Sequence, residues 1–193
     1  MNQWWQLWPK YFDDSACDKI IDMAKNIEPQ SGSVGHGGSD IAVRENVRRS
    51  KVRWMPRFEL EFLPLATTLE KLFYDANTAA FGFDINTFRE IQFTEYNSNN
   101  DGHYTWHTDM VWATNTFTNR KLTMVVQLTD PASYEGGEFE LDIKECYEVP
   151  NAEAAKSRGT VVVFPSFLRH RVLPVTSGIR YSMVSWCGGP VFR

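Results

Sequence analysis

Residues 159–175 read GTVVVFPSFLRHRVLPV: a glycine, a β-branched and aromatic run, a proline-marked turn, and then a histidine entering a second apolar stretch. A short apolar run bounded by turn formers has the length and composition of a buried strand. Working outward, similar β-type runs stand at 86–96, 122–128, 138–141, 160–164 and 181–186, most of them separated by Gly, Pro, Asn or Asp. The stretch before them has a different period. Asp13-Asp14-Ser15 reads as a helix cap, and Cys17, Ile20, Ile21, Ala24 and Ile27 then recur on one helical face that should stop before Pro29. Leu65, Leu69, Leu72, Phe73, Ala76 and Ala80 mark a second helix, with Pro64 in its first turn and Gly82 as terminator. Between the helices, Val47, Ser50, Val52 and Trp54 suggest one strand with partial alternation. Helices followed by many short strands predict an α+β chain whose second half is a sandwich or jelly roll. No linker divides the 193 residues, so one domain is expected, with 1–85 as helical support and 86–187 as the β core.

The histidines carry the chemistry. His107 and Asp109 stand at i and i+2, which on an extended segment puts both side chains on one face. His170 follows the apolar run 160–164, and a strand end can bring it beside the first pair. Two histidines and one carboxylate on one face of an octahedron suit non-haem Fe(II) and leave positions open for a chelating co-substrate and O₂. Zinc accepts the same ligands, so a zinc hydrolase is the natural competitor. Arg180, at the head of the next strand, favours iron. A guanidinium there can grip a carboxylate through two parallel hydrogen bonds, as a 2-oxo acid chelating the metal requires and a zinc hydrolase does not.

The order His107-Thr108-Asp109, His170, Arg180 resembles the Fe(II)/2-oxoglutarate dioxygenases, specifically their prolyl/lysyl-hydroxylase-like branch. Further segments agree. Tyr96 and Tyr104 precede the His-x-Asp pair where the branch carries a tyrosine-containing segment, although Tyr96 stands eleven residues before His107, one more than in some relatives. Lys121-Leu122-Thr123 opens a strand similar to the family's R-L-T-x-x-x-x-L. Gly136-Gly137-Glu138-Phe139 is similar to its G-G-x-L/F turn, and 159–175 to its G-x-x-x-x-F-P-S … H-x-V-x-P-V segment. The resemblance is specific over 86–187 and loose over 1–85.

It implies a double-stranded β-helix (jelly roll) core, with His107, Asp109 and His170 as catalytic iron ligands. Arg180 would hold the far carboxylate of 2-oxoglutarate, and Tyr96 and Tyr104 would donate hydrogen bonds to it. The implied cofactors are Fe(II), 2-oxoglutarate and O₂, with ascorbate as an auxiliary reductant. The implied reaction hydroxylates a C–H bond, first of a prolyl or lysyl residue in a protein or peptide, and releases succinate and CO₂. A free amino acid or small metabolite is the alternative substrate. A metal-bearing jelly-roll binding module is the non-enzymatic alternative. Trp54, Arg53, Trp106 and Trp112 are candidates for the mouth of the site, whereas His36 and His103 are expected to stay away from the metal.

Composition narrows the partners. The net charge of −4 offers no field for a polyanion. Nucleic-acid demethylases of the superfamily usually carry a second arginine six residues past the anchoring one. Trp186 stands there instead, so no nucleic-acid partner is expected. The local basic run 44–57 (Arg44, Arg48, Arg49, Lys51, Arg53, Arg57) reads as a solvated strand face. The Gly/Ser-rich segment 30–40 reads as an exposed loop able to act as a lid. Cysteines 17, 146 and 187 show no pairing pattern, as in a reducing compartment. The opening MNQWWQLWPKYF has neither a long apolar run nor a basic head, so no signal peptide or membrane span is expected, and the expected location is cytoplasmic.

Overall fold

Two antiparallel sheets face one another across a cavity, and helices cover the outer face of the larger sheet. The computed structural model describes residues 4–35, 41–110, 117–143 and 152–192. In chain order the elements are β1 (Gln6–Trp8), α1 (Asp14–Lys25), β2 (Gln30–Ser31), β3 (Arg48–Arg49), β4 (Lys51–Met55), α2 (Leu63–Ala76), β5 (Thr87–Asn97) and β6 (His103–His107). After these come β7 (Thr118–Gln127), β8 (Tyr134–Gly136), β9 (Phe139–Leu141), α3 (Ala152–Lys156), β10 (Val161–Pro165), β11 (His170–Val172) and β12 (Val175–Pro190). The larger sheet runs β1-β10-β7-β12-β5-β4-β2, with β8 paired to β12, and the smaller runs β3-β6-β11-β9. This is the jelly-roll arrangement expected from the strand pattern, with few helices.

Local chemistry sets the helices. The Asp13 side chain accepts from the Ala16 N–H at 2.8 Å and caps α1. Pro64 occupies the first turn of α2, which continues through a π-turn at Asn77–Phe81 and stops at Gly82 with φ 66°. Cys17, Ile20, Ile21 and Ala24 of α1 and Leu69, Leu72, Phe73 and Ala76 of α2 pack on Ile91, Phe93, Leu122, Met124, Val126 and Met183 of the larger sheet. Alternation along each strand leaves the opposite face of the same strands turned to the cavity.

The first 85 residues, read from sequence as helical support, also supply four strands. The single strand expected around 47–54 divides at Ser50, so β3 joins the smaller sheet and β4 the larger. The solvated-face reading of the basic run holds for Arg44 and Lys51 and fails for Arg48 and Arg53, which are buried. Arg53 turns to the helix side, donating to the Ile27 carbonyl at 3.1 Å and pairing with Glu95 at 3.2 Å. Arg48 turns to the cavity side. The run thus divides by position: Arg48 and Arg53 are covered by the elements packed on them, whereas Lys51 keeps its solvent. Cys17 and Cys187 are buried free thiols, whereas Cys146 lies outside the described residues. Among the described residues no helix is long and apolar enough to cross a membrane.

Candidate metal centre and its cavity

β6 and β11 are neighbours in the smaller sheet, and their register sets His107 directly opposite His170. The two imidazoles lie 4.1 Å apart between centroids. Asp109 follows β6. Its backbone N–H and that of Met110 donate to the Ser166 carbonyl at 2.9 and 3.0 Å, which fixes the carboxylate beside the two rings. His107 Nε2 stands 3.8 Å from Asp109 Oδ1, and His170 Nε2 stands 3.4 Å from Oδ2. The three ligand atoms lie within 4.8 Å of one another, close enough to share one metal ion.

The groups behind these side chains settle which atoms face inward. His107 Nδ1 meets the Thr105 carbonyl at 2.8 Å and His170 Nδ1 meets the Leu168 carbonyl at 3.0 Å. A carbonyl only accepts, so each Nδ1 carries a proton and each Nε2 is the ring atom left to face the metal position. Thr123 Oγ1 donates to Asp109 Oδ2 at 2.8 Å. Its one proton is thereby used, so the Ser166 hydroxyl at 2.9 Å donates in turn to Thr123. The indole N–H of Trp186 faces the same carboxylate and helps to lower its pKa.

Electrostatics favour the metal-ready protonation state. Burial and the neighbouring His170 push the His107 pKa well below its ordinary value, so its ring is neutral at physiological pH. Burial alone would raise the Asp109 pKa, but His170, His107 and Arg120 outweigh it and hold the carboxyl below its ordinary value. A neutral His107 imidazole and an ionised Asp109 carboxylate suit a metal cation.

A cavity of about 460 Å³ opens over this cluster, a size suited to a small ligand together with part of a larger one. Tyr96 and Arg180, cross-strand partners on β5 and β12, line it, as does Tyr104 on β6. Arg180 is 2% exposed; its guanidinium lies over the Tyr96 ring at 5.5 Å and meets Ser182 Oγ at 3.5 Å. No ion pair among the described residues includes it. Gly137 makes room for it: with φ at +65°, a Cβ there would come within 2.9 Å of Arg180 Cδ.

Tyr104 stacks on His107 with centroids 3.5 Å apart. A regular strand would put residues 104 and 107 on opposite faces. A register shift opposite His170 and Val172 inserts one extra residue in β6 and brings both onto the cavity. Burial pushes the Tyr104 phenol up to about 12, although Arg48 pulls it down, so it remains a neutral donor. Burial raises Tyr96 likewise.

All six residues singled out from sequence therefore share one cavity. Of the proposed mouth residues, Trp54 lines it, whereas Arg53 points to the helix side and Trp106 sits under Arg171, 4.5 Å away, outside the cavity lining. His103 bonds the Asp101 carbonyl at the start of β6, away from the cavity. Trp112, His36 and residues 36–40 of the expected lid lie outside the described residues. Sequence reasoning missed Thr123 and Ser166 behind Asp109, the Gln127–Tyr134 pair near Arg180, and Arg48 and Arg120 in the cavity wall. For Thr123 the available signal was its place on the cavity phase of β7.

Comparison with known proteins adds three findings. Residues 91–188 match the family model described as the 2OG-Fe(II) oxygenase superfamily. A PKHD-type hydroxylase of Synechococcus sp. (strain CC9311) is 36% identical over 87 residues, 45% of this chain and 36% of that protein. One of Hyphomonas neptunium is 41% identical over 66 residues, 34% and 27% of the two chains. The matched stretch thus spans about a third of the length of these curated relatives. Among solved structures, a Pseudomonas putida prolyl-4-hydroxylase superposes with a TM-score of 0.73 at 17% identity, covering 97% of this chain and 94% of that one. A Trichoplax adhaerens prolyl hydroxylase, in complex with a hypoxia inducible factor oxygen degradation domain peptide fragment, also gives 0.73 at 16% identity, covering 95% and 83%. At these identities the structural likeness speaks for the fold.

Proposed function

The chain belongs to the 2OG-Fe(II) oxygenase superfamily, and on that premise we propose that it hydroxylates a C–H bond using Fe(II), 2-oxoglutarate and O₂. The observation that carries the proposal is Arg180: a buried guanidinium that no carboxylate among the described residues pairs with, in the same cavity as the cluster of His107, His170 and Asp109. A buried charge without a partner is costly unless a ligand supplies one. The far carboxylate of 2-oxoglutarate fits that need.

The residues present suit the metal. His107 Nε2, His170 Nε2 and an Asp109 oxygen are the donors that would hold iron, with both Nδ1 atoms already satisfied by backbone carbonyls. When bound, iron with 2-oxoglutarate and O₂ supplies the oxidising power for hydroxylation, and succinate and CO₂ are released. The chain contributes position. Thr123 fixes the Asp109 carboxylate, Tyr104 packs flat on His107 and keeps water from that ring, and Arg180 with Tyr96 orients the co-substrate. Phe139 and Phe164 close around His170 at 5.8 and 4.9 Å, an aromatic wall that shields the backbone from oxidation.

For the substrate, the prolyl-hydroxylase names of the structural neighbours and the peptide bound to one of them support a prolyl residue in a protein or peptide. Aerobic incubation with Fe(II) tests the activity: 2-oxoglutarate should be converted to succinate, dependent on O₂ and lost in Arg180→Met. Hydrolysis by the zinc-loaded protein without O₂ or 2-oxoglutarate would replace this reading with a hydrolase.

A further inference from the structure

Arg180 accounts for one cation of the cavity. Three more arginines line the same space: Arg44 and Arg48 on one wall and Arg120 on the other, while Asp109 is the one carboxylate among the described lining residues. Arg48 is 7% exposed, yet its guanidinium has only neutral partners: Ser50 Oγ at 2.8 Å, the Ser33 carbonyl at 3.4 Å and the Tyr104 ring at 4.7 Å. Arg44 is exposed and enters none of the ion pairs among the described residues. The Arg120 guanidinium stands over Trp186, 4.0 Å from the ring centroid, and reaches Glu90 at 3.5 Å, a long contact to a half-exposed carboxylate.

The iron and 2-oxoglutarate of the proposed function cancel one another's charge, and Asp109 offsets Arg180. Among the described residues Arg44 and Arg48 then remain without a countercharge, and Arg120 has only its long contact to Glu90, in a chain whose net charge is −4. Buried or walled-in cations are retained where an anion comes to meet them. We infer that the substrate carries a carboxylate close to the C–H bond that is attacked, and that Arg44, Arg48 and Arg120 receive it. The inference rests on the oxygenase reading only for the identity of the molecule bound as substrate; the anion site stands on the arginines themselves. The carboxylate has two possible sources, an acidic side chain flanking the target residue of a peptide or the main-chain carboxylate of a free amino acid.

The test is binding, measured by titration calorimetry on the Fe(II)- and 2-oxoglutarate-loaded protein under nitrogen. One arm uses end-blocked peptides centred on proline or lysine, in matched sets flanked by Asp and Glu or by Asn and Gln. The other compares free proline and lysine with their amides. The carboxylate member of at least one arm should bind about tenfold more tightly, the scale of one charge-assisted hydrogen bond. The arm that discriminates identifies the source. The preference should shrink in Arg44→Gln and Arg120→Gln, neither of which removes a buried group, and vanish in Arg48→Gln with 2-oxoglutarate affinity kept. Equal binding of both members, binding of neither, a preference that survives all three substitutions, or loss of 2-oxoglutarate affinity in Arg48→Gln would each overturn the inference. Succinate formation without any carboxylate preference leaves the oxygenase reading and removes the anion site. A preference without succinate formation does the reverse.

Discussion

Strand β12 has two faces with opposite characters. Met183 and Cys187 enter the dry core beneath α1 and α2, whereas Arg180, Ser182, Val184 and Trp186 look into the cavity. The same division runs through β5, where Ile91 and Phe93 face the helices and Gln92 and Tyr96 the cavity, and through β7, with Leu122, Met124 and Val126 against Val125 and Arg120. One face is closed aliphatic and aromatic packing, and burial of that kind supplies most of a fold's stability. The other concentrates cations and lone pairs that the protein itself leaves partly unmatched. The larger sheet can therefore hold an electrostatically costly cavity because its opposite side is stabilised independently.

That division is open to direct attack. Asp109→Ala or His170→Ala should abolish metal binding and turnover while leaving thermal unfolding of the metal-free protein nearly unchanged; a collapse of the fold would show that the two faces are not separable. On the dry side, Phe93→Ala should cost about 3–5 kcal/mol in denaturant unfolding, with cofactor affinity preserved in the molecules that remain folded. Thr123→Val removes the donor behind Asp109, and metal affinity should drop by about 10- to 100-fold with little change in stability. The smallest effect concerns the thiols of the dry face. Burial raises Cys17 and Cys187 from 9.0 to about 11. Each folded pKa exceeds its unfolded value, so this contribution to stability is fully present below about pH 9 and is lost as pH rises through about 11. Both thiols should resist alkylation at pH 8 until the protein unfolds, and rapid labelling of the native protein would mean that the core beneath the helices opens.

The parts of this arrangement legible in the sequence were those written in local period or motif order. His107, Asp109, His170 and Arg180 stood out because an i, i+2 pair, a histidine after an apolar strand and an arginine on the next strand make chemical sense together. The runs that became β5, β7, β10 and β12 were visible from composition, although β12 extends to Pro190 and β7 begins at Thr118. What escaped depends on register. Arg120 reaches the cavity because β7 gains a residue against β12 between Leu122 and Arg120, and Tyr104 joins His107 through a similar shift in β6. A bulge reverses the face assignment that a period of two would give, and nothing in the local sequence marks either one. Arg48 was misread for a related reason: only the crossing from β3 to β4 at Ser50 decides that its guanidinium ends inside. Strand β1 has three residues, too few for any alternation to register.

The central claim is that the cavity face holds a metal and 2-oxoglutarate together, through His107, Asp109, His170 and Arg180. Its most direct test is an anaerobic titration of the metal-free protein with Fe(II) and then 2-oxoglutarate, followed by visible absorption. A weak metal-to-ligand charge-transfer band should appear only after both additions and should be absent in Asp109→Ala. No band, with tight binding of zinc instead, would contradict the claim.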